Sequence, residues 1–200
     1  GLIIAAVEAD EPEAGGAHVV RADQIVAELQ AWRFVSENTI FGAQLEAASG
    51  DRRRAAETAR GAVEHMRRYA LDYMGAAILG IGASLSDDPA ERDAWLVEGE
   101  GLLAVQTLGH NHLFYRAYAI EACLAAGRPD EARHHADALA RFTAPEPMPY
   151  TDLIAQRAQL LADVLEGRLT AEGRATLSEL AARAERTGYR RLAKAMRAVP

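Results

Sequence analysis

Apolar residues recur at steps of three and four along most of the chain, which is the spacing of one face of an α-helix. The pattern is clearest in 71–85, 111–126 and 153–166. In the first of these segments its members are Leu71, Met74, Ile78, Ile81 and Leu85. The segments between them are more polar, and their apolar residues are mostly Ala. Because no segment alternates with a period of two, the pattern predicts no β-strand.

The periodicity predicts a chain made of helices, interrupted by the irregular stretches 10–17 and 143–150. The second stretch contains three prolines, which disfavour helix and favour a stiff, extended link. The predicted helices are 2–9, 18–31, 35–48, 51–68, 70–85, 89–107, 111–126, 129–142, 149–166, 170–187 and 189–198.

Breaks between helices recur at a regular interval. Gly50 and Gly127 lie 77 positions apart, and the break Ser86–Pro89 is near the midpoint between them. Gly167 follows Gly127 after 40 positions. A break about every 39 residues is typical of helical-hairpin repeats. The sequence therefore predicts an all-α, right-handed solenoid of antiparallel helix hairpins, forming a single domain over 1–200.

Composition and charge narrow the classes of partner. The chain has 200 residues, of which 50% are hydrophobic and 26% charged, and its formal net charge is −7. Its longest basic run is Arg52–Arg54, so it lacks the clustered cations of a nucleic-acid-binding surface. The longest apolar run, Leu2–Val7, is followed by Glu8, Asp10 and Glu11, a pattern that fits neither a membrane span nor a signal peptide. With no initiator Met, we expect a cytoplasmic fragment of a larger protein.

Two short patterns resemble the centre of the tetratricopeptide repeat. Gly50 is followed five positions later by Ala55, and Gly127 by Ala132, which places Gly-x-x-x-x-Ala across two predicted turns. The 39-residue period is longer than the 34 residues usual for this repeat, so the resemblance is to longer, divergent repeats of this kind. It implies that Ala55 and Ala132 are buried where two helices meet.

A sharper resemblance covers 114–153. Its residues are Phe114-Tyr115-Arg116, Ala119-Ile120-Glu121-Ala122-Cys123-Leu124, Gly127, His135-Ala136-Asp137-Ala138-Leu139 and Pro145-Glu146-Pro147-Met148-Pro149-Tyr150-Thr151-Asp152. This segment is similar to the C-terminal tetratricopeptide-like region of bacterial class III adenylate/guanylate cyclases. The resemblance implies cyclic-nucleotide synthesis by a parent protein, with this chain as its regulatory part. Similar tails occur in ATPase-linked transcription regulators.

Catalytic and cofactor motifs are weak in this sequence. His110 and His112, and likewise His134 and His135, are spaced so that they do not share a helix face, and no metal site is predicted. The glycines in 75–82 are followed by no Lys-Ser or Lys-Thr pair, so they are interpreted as points of close helix approach rather than a phosphate loop. No nucleophile and base are paired at a recognisable spacing. We therefore expect no enzymatic activity and no cofactor.

The candidate binding residues are Phe114, Tyr115, Arg116 and Tyr118, with Tyr150 on the rim. Consecutive positions point in different directions around a helix, so at least one of the first four is expected to face a groove. Arg116 is the leading member, because a guanidinium can bind a carboxylate through two hydrogen bonds. Asn111 is predicted to cap the helix 111–126.

The predicted function is a regulatory, protein-interaction repeat module of a signalling protein. Its partner would be a protein, a peptide or another domain of the same chain, with no direct contact to nucleic acid or membrane. The alternatives are an effector-sensing domain of an ATPase-linked transcription regulator, a small-molecule-binding helical domain, and a helical hydrolase or lyase. The sequence leaves the oligomeric state open.

Overall fold

The computed structural model describes residues 1–105 and 108–199, which are predominantly helical and include no β-strand. A short 3-10 turn, Trp32–Phe34, precedes α3. The helices are α1 Leu2–Glu8, α2 Pro12–Leu29, α3 Val35–Ala48, α4 Arg52–Tyr69, α5 Leu71–Leu85, α6 Pro89–Leu103, α7 Gly109–Ala125, α8 Pro129–Thr143, α9 Pro149–Leu165, α10 Ala171–Arg186 and α11 Arg190–Arg197. The predicted all-helical class is confirmed.

The irregular stretch predicted over 10–17 is wrong, because α2 begins at Pro12. Proline suits the first helical position, where its missing N–H needs no partner. Gly15 then lies inside the helix and is buried, and an added Cβ would come within 3.1 Å of the Ala6 Cβ. Gly15 therefore allows close packing of helices here, and neither it nor Gly16 forms a loop.

The second irregular stretch is shorter than predicted. α8 continues to Thr143, whose hydroxyl donates back to the Leu139 carbonyl at 3.1 Å, and Pro149 opens α9. The link is thus 144–148, and its side chains are exposed. The helix predicted over 89–107 ends at Leu103; residues 106 and 107 lie outside the described part of the chain.

The predicted turn chemistry is confirmed at the two Gly-x-x-x-x-Ala motifs. Gly50 and Gly127 have φ values of 94° and 69°, in the left-handed region where a side chain is costly. Ala55 and Ala132, five residues further on, both have 0% exposure. A larger side chain at either alanine would have no space to occupy.

The described chain divides into two compact units, 1–115 and 116–200, and the division falls inside α7. In the first unit, α3 packs against α1, α2, α4 and α5, and α5 also packs against α4 and α6. In the second, α8 packs against α9 and α10 against α11. The prediction of a single solenoid domain over 1–200 stays a prediction.

Ion pairs join helices within the first unit. Arg60 on α4 reaches Glu91 at 2.9 Å and Asp87 at 2.5 Å, and Arg67, two turns later, reaches Glu98 on α6 at 2.5 Å. The two arginines and the two glutamates are each seven positions apart, so the pairs repeat in register along α4 and α6. These hydrogen bonds raise the pKa of both arginines and keep them charged.

The second unit has a more buried pair between α7 and α9. Arg157 is 4% exposed and donates to Glu121 at 2.5 Å and 3.3 Å. Burial alone would raise the pKa of Glu121, but Arg157 and Arg191 more than offset this, so the net direction is downward. Arg133 of α8, which is partly buried, pairs with Asp163 at 2.7 Å and with Glu166.

Candidate binding groove

Tyr115 is a packing residue of the first unit. Its side chain has 0% exposure, and its hydroxyl donates to the Leu96 carbonyl at 2.6 Å. Two glycines make room for it: an added Cβ on Gly80 would lie 2.8 Å from the Tyr115 Cα, and Gly99 faces the tyrosine ring. Gly80 of α5 thus allows close helix approach, as predicted, and Tyr115 presents no group to a surface.

Phe114 lies half-buried and contacts the α3 side chain Phe41 edge to face, with ring centroids 5.8 Å apart. Phe41 is itself 2% exposed and forms part of the floor of an open apolar groove. Of the predicted site residues in the first unit, Phe114 is therefore the one next to a surface feature, because it packs against Phe41, which lines this groove.

The remaining predicted residues belong to the second unit, and they are dispersed. Tyr118 is buried at 4% exposure. Arg116 is half-buried, and its Nη1 lies 2.9 Å from His135 Nδ1; an arginine only donates, so this imidazole nitrogen accepts. Tyr150, in the first turn of α9, packs its ring against that of Tyr189 at 4.8 Å. The Arg116 guanidinium, predicted to bind a carboxylate of a partner, is thus hydrogen-bonded to a histidine of the chain itself.

An unpredicted feature of the first unit is the exposure of α2. Only Gly15 and Val26 of its 18 residues are buried. Ile25 is 39% exposed and Leu29 71% exposed, and both lie beside the buried stripe. A helix of a folded domain normally buries an apolar stripe, so these side chains mark a face with no cover.

This face forms one side of a groove that we call the α2–α3 groove. Its first half is a cavity of about 260 Å³ between α1, α2 and α3, and its second half is a cavity of about 320 Å³ between α2, the 3-10 turn, α3 and α5. The two halves share four lining residues, Ala22, Ile25, Glu37 and Asn38. They are therefore one continuous groove, which follows α2 from His18 to Leu29.

A single carboxylate lies in the middle of the groove. Glu37 lines both halves, and it accepts a hydrogen bond from the hydroxyl of Tyr73, which lines the second half. Burial and the Glu37 charge raise the pKa of Tyr73. The Arg33 guanidinium covers the ring of Tyr73, 5.5 Å from its centroid, and that of Phe34, at 4.8 Å. The groove thus combines mostly apolar walls with one carboxylate, and His18 and Arg21 also line its first half.

The backbone carbonyl of Tyr73 is hydrogen-bonded by side chains at the start of α7. Helix α5 breaks at Met74, where φ is −126° and ψ is 15°. The Asn111 side chain occupies the break: its Oδ1 accepts from the Ala77 N–H at 3.1 Å and its Nδ2 donates to the Tyr73 carbonyl at 3.0 Å. His110 Nε2 lies 2.8 Å from the same carbonyl. The predicted capping role of Asn111 is wrong, because the side chain bonds to α5 and is fully buried.

The segment that forms the groove is strongly acidic. Residues 1–41 contain seven carboxylate side chains and two arginines, a net side-chain charge of −5 out of −7 for the whole chain. Asp23 and Glu28 on α2 and Glu37 on α3 belong to this set. Arg21 is within 3.9 Å of Glu28 on the same helix. The segment thus has a net negative charge, which attracts cations, although Arg21 itself lines the first half of the groove.

A serine and a histidine form a partly buried pair in the first unit. Ser36 Oγ lies 2.7 Å from His65 Nδ1, but Ser36 has 0% exposure and no substrate could reach it. Among residues 1–105 and 108–199, no three metal-binding side chains lie close enough to hold an ion. In the second unit an open cavity of about 470 Å³ lies against α10 and α11, lined by Leu177, Ala181 and Met196 with Arg174 and Arg197.

Searches against protein-family models, curated proteins and solved structures found no match to this chain. None of the helices in its described part combines the length and apolar character needed to cross a membrane. The groove therefore has to be interpreted from its own geometry. Sequence reasoning missed it, although one signal was available: Ile25 and Leu29 extend the apolar face of α2 beyond what a single stripe needs.

Proposed function

We propose that this chain is a helical protein-interaction module, which binds a segment of a partner protein or of another domain of its own chain in the α2–α3 groove. The observation that carries the proposal is the groove itself: it is continuous over two cavities, its walls are apolar, and Ile25 and Leu29 expose side chains into water beside it. Exposed apolar surface of this kind is typical of a protein-binding site.

The module is a solenoid of helix hairpins in this proposal. The contacts of α3 with both α1 and α5 support it, since alternate helices touch when hairpins are stacked side by side. The parent protein would be a signalling protein of the nucleotide-cyclase kind, as the sequence of 114–153 suggests, and an ATPase-linked transcription regulator is the second candidate. A cyclase domain encoded in the same reading frame would support the first.

Site-specific photocrosslinking tests the module function. A photoreactive residue at Leu29 should form a discrete crosslink to a polypeptide in the native cell. The same residue at Val97, which is 74% exposed on α6 and lies outside the groove, is the matched control. The crosslinked segment, made synthetically, should bind the purified chain, and Leu29→Asp should weaken this binding about tenfold or more while Val97→Asp leaves it unchanged.

Crosslinking at Leu29 no stronger than at Val97 would contradict the proposal. So would a crosslinked segment that binds Leu29→Asp as tightly as the unaltered chain. A small molecule copurifying in the groove and protecting Leu29 from the crosslink would favour the small-molecule-binding alternative.

A further inference from the structure

The charge around the α2–α3 groove limits what can occupy it. Residues 1–41 have a net side-chain charge of −5, whereas the remaining 159 residues carry 22 carboxylates and 20 basic side chains. The negative charge of the protein is therefore concentrated in the segment that forms the groove. An acidic occupant would be repelled, and a basic one would be attracted and oriented.

The shape of the groove limits its occupant further. The lining residues of α2 extend from His18 to Leu29, which is about 16 Å at the rise of an α-helix. Three turns of a second helix cover that distance, with apolar side chains at i, i+4, i+7 and i+11 directed into the groove. The floor, formed by Phe41 and Phe34, is aromatic, and it suits long aliphatic side chains.

Glu37 is the position where the occupant's charge would matter most. It lines both cavities, and a single hydrogen bond from the Tyr73 hydroxyl uses only one of the about four acceptor positions that a carboxylate offers. Its partly buried position strengthens any charge-assisted hydrogen bond to an incoming ammonium or guanidinium group relative to one made in water. Arg33 is already positioned over the rings of Phe34 and Tyr73.

From these observations we infer that the α2–α3 groove binds a basic amphipathic helix of a partner protein, whose apolar face packs on Ile25 and Leu29 and one of whose Lys or Arg side chains pairs with Glu37. This inference rests on the proposed function and adds the chemical class of the partner. It also excludes acidic segments, and it makes binding dependent on ionic strength.

Three synthetic peptides of about 18 residues test the inference, since this length exceeds the groove at both ends. All three have Leu at i, i+4, i+7 and i+11. Their other positions combine Ala with one polar residue type, which is Lys in the first peptide, Gln in the second and Glu in the third. Binding to the full chain is measured by fluorescence anisotropy. We expect the Lys peptide to bind about tenfold or more tightly than the Glu peptide, and its affinity to fall steeply between about 50 and 300 mM NaCl.

Variants identify the groove and the charge separately. Leu29→Asp should reduce the affinity for the Lys peptide about tenfold or more, and Val97→Asp should not. Glu37→Gln keeps an acceptor for the Tyr73 hydroxyl. It should reduce the affinity for the Lys peptide about three- to tenfold and leave the affinity for the Gln peptide unchanged. Circular dichroism verifies that each variant keeps its helices.

The outcomes separate this inference from the proposed function. Equal binding of all three peptides, lost in Leu29→Asp, would overturn the basic partner and leave the module function standing. Binding of the Lys peptide that is insensitive to Leu29→Asp would show charge attraction without the groove, and it would also overturn the inference. Sedimentation velocity adds a further outcome: if the chain alone self-associates and Leu29→Asp makes it monomeric, the occupant is a second copy and the inference is wrong.

Discussion

Single side chains decide the local structure around Tyr73. Asn111 replaces a helical hydrogen bond, because the Ala77 N–H and the Tyr73 carbonyl it binds are the pair that an unbroken α5 would join. In Asn111→Leu the Tyr73 carbonyl would keep its hydrogen bond to His110, but the Ala77 N–H would be buried without an acceptor. We expect a loss of about 1–3 kcal/mol in the free energy of unfolding, measured with urea. Gln24→Leu, at an exposed amide, should change it little, and an unchanged midpoint for Asn111→Leu would contradict the bridging role.

His65 provides a pH-dependent contribution at the same scale. Burial, and then the nearby Arg68, lower the pKa of His65 below its ordinary value, so the fold disfavours the charged ring. The associated stability is fully present above about pH 6.5 and is lost as the pH falls from there toward the lowered value. His65→Gln should remove this part of the pH dependence. Urea midpoints between pH 7.5 and 5 that fall equally steeply in both proteins would refute it.

Close helix packing explains why glycine occurs inside α5. Gly80→Ala would improve helix propensity, yet the new Cβ would lie 2.8 Å from the Tyr115 Cα and would force α5 and α7 apart. We expect a net loss of about 1–3 kcal/mol. Gly61, inside α4 with no atom within 4 Å of an added Cβ, is the matched control, and Gly61→Ala should stabilise by about 0.5–1 kcal/mol. Thermal or urea unfolding of the two variants in parallel measures the difference, and two shifts of the same sign would contradict it.

The helices were predictable because their signals are local. The spacing of apolar residues and the glycines at Gly50 and Gly127 lie within a few positions of the structure they specify. The role of Asn111 was not predictable in this way, since its partner Ala77 is 34 positions away and the capping interpretation satisfied every nearby signal. Likewise Tyr115 looks like a surface aromatic until Gly80 and Gly99 are placed beside it. The groove exists because one side of α2 is left uncovered, and which side this is depends on how α1 and α3 pack against α2.

At the scale of the whole molecule, α7 contributes residues to both compact units. Both tryptophans, Trp32 and Trp95, lie in the first unit, so tryptophan fluorescence reports on that unit alone. Circular dichroism at 222 nm reports on the helices of both. Because one helix supplies residues to both units, we expect the two signals to give the same urea midpoint. Separate midpoints would show that the units unfold independently.

The bridge between Asn111 and the Ala77 N–H has a spectroscopic consequence. Beyond Ala77, the amide protons of α5 are protected from exchange with deuterium by the helix's own carbonyls, but at Ala77 the acceptor belongs to a side chain of α7. The exchange rate of this one amide therefore measures how often α7 detaches from α5, while its neighbours measure the fraying of α5 itself. A ligand in the adjacent groove that fixes Tyr73 would slow exchange at Ala77 first, which makes this amide a natural reporter of occupancy.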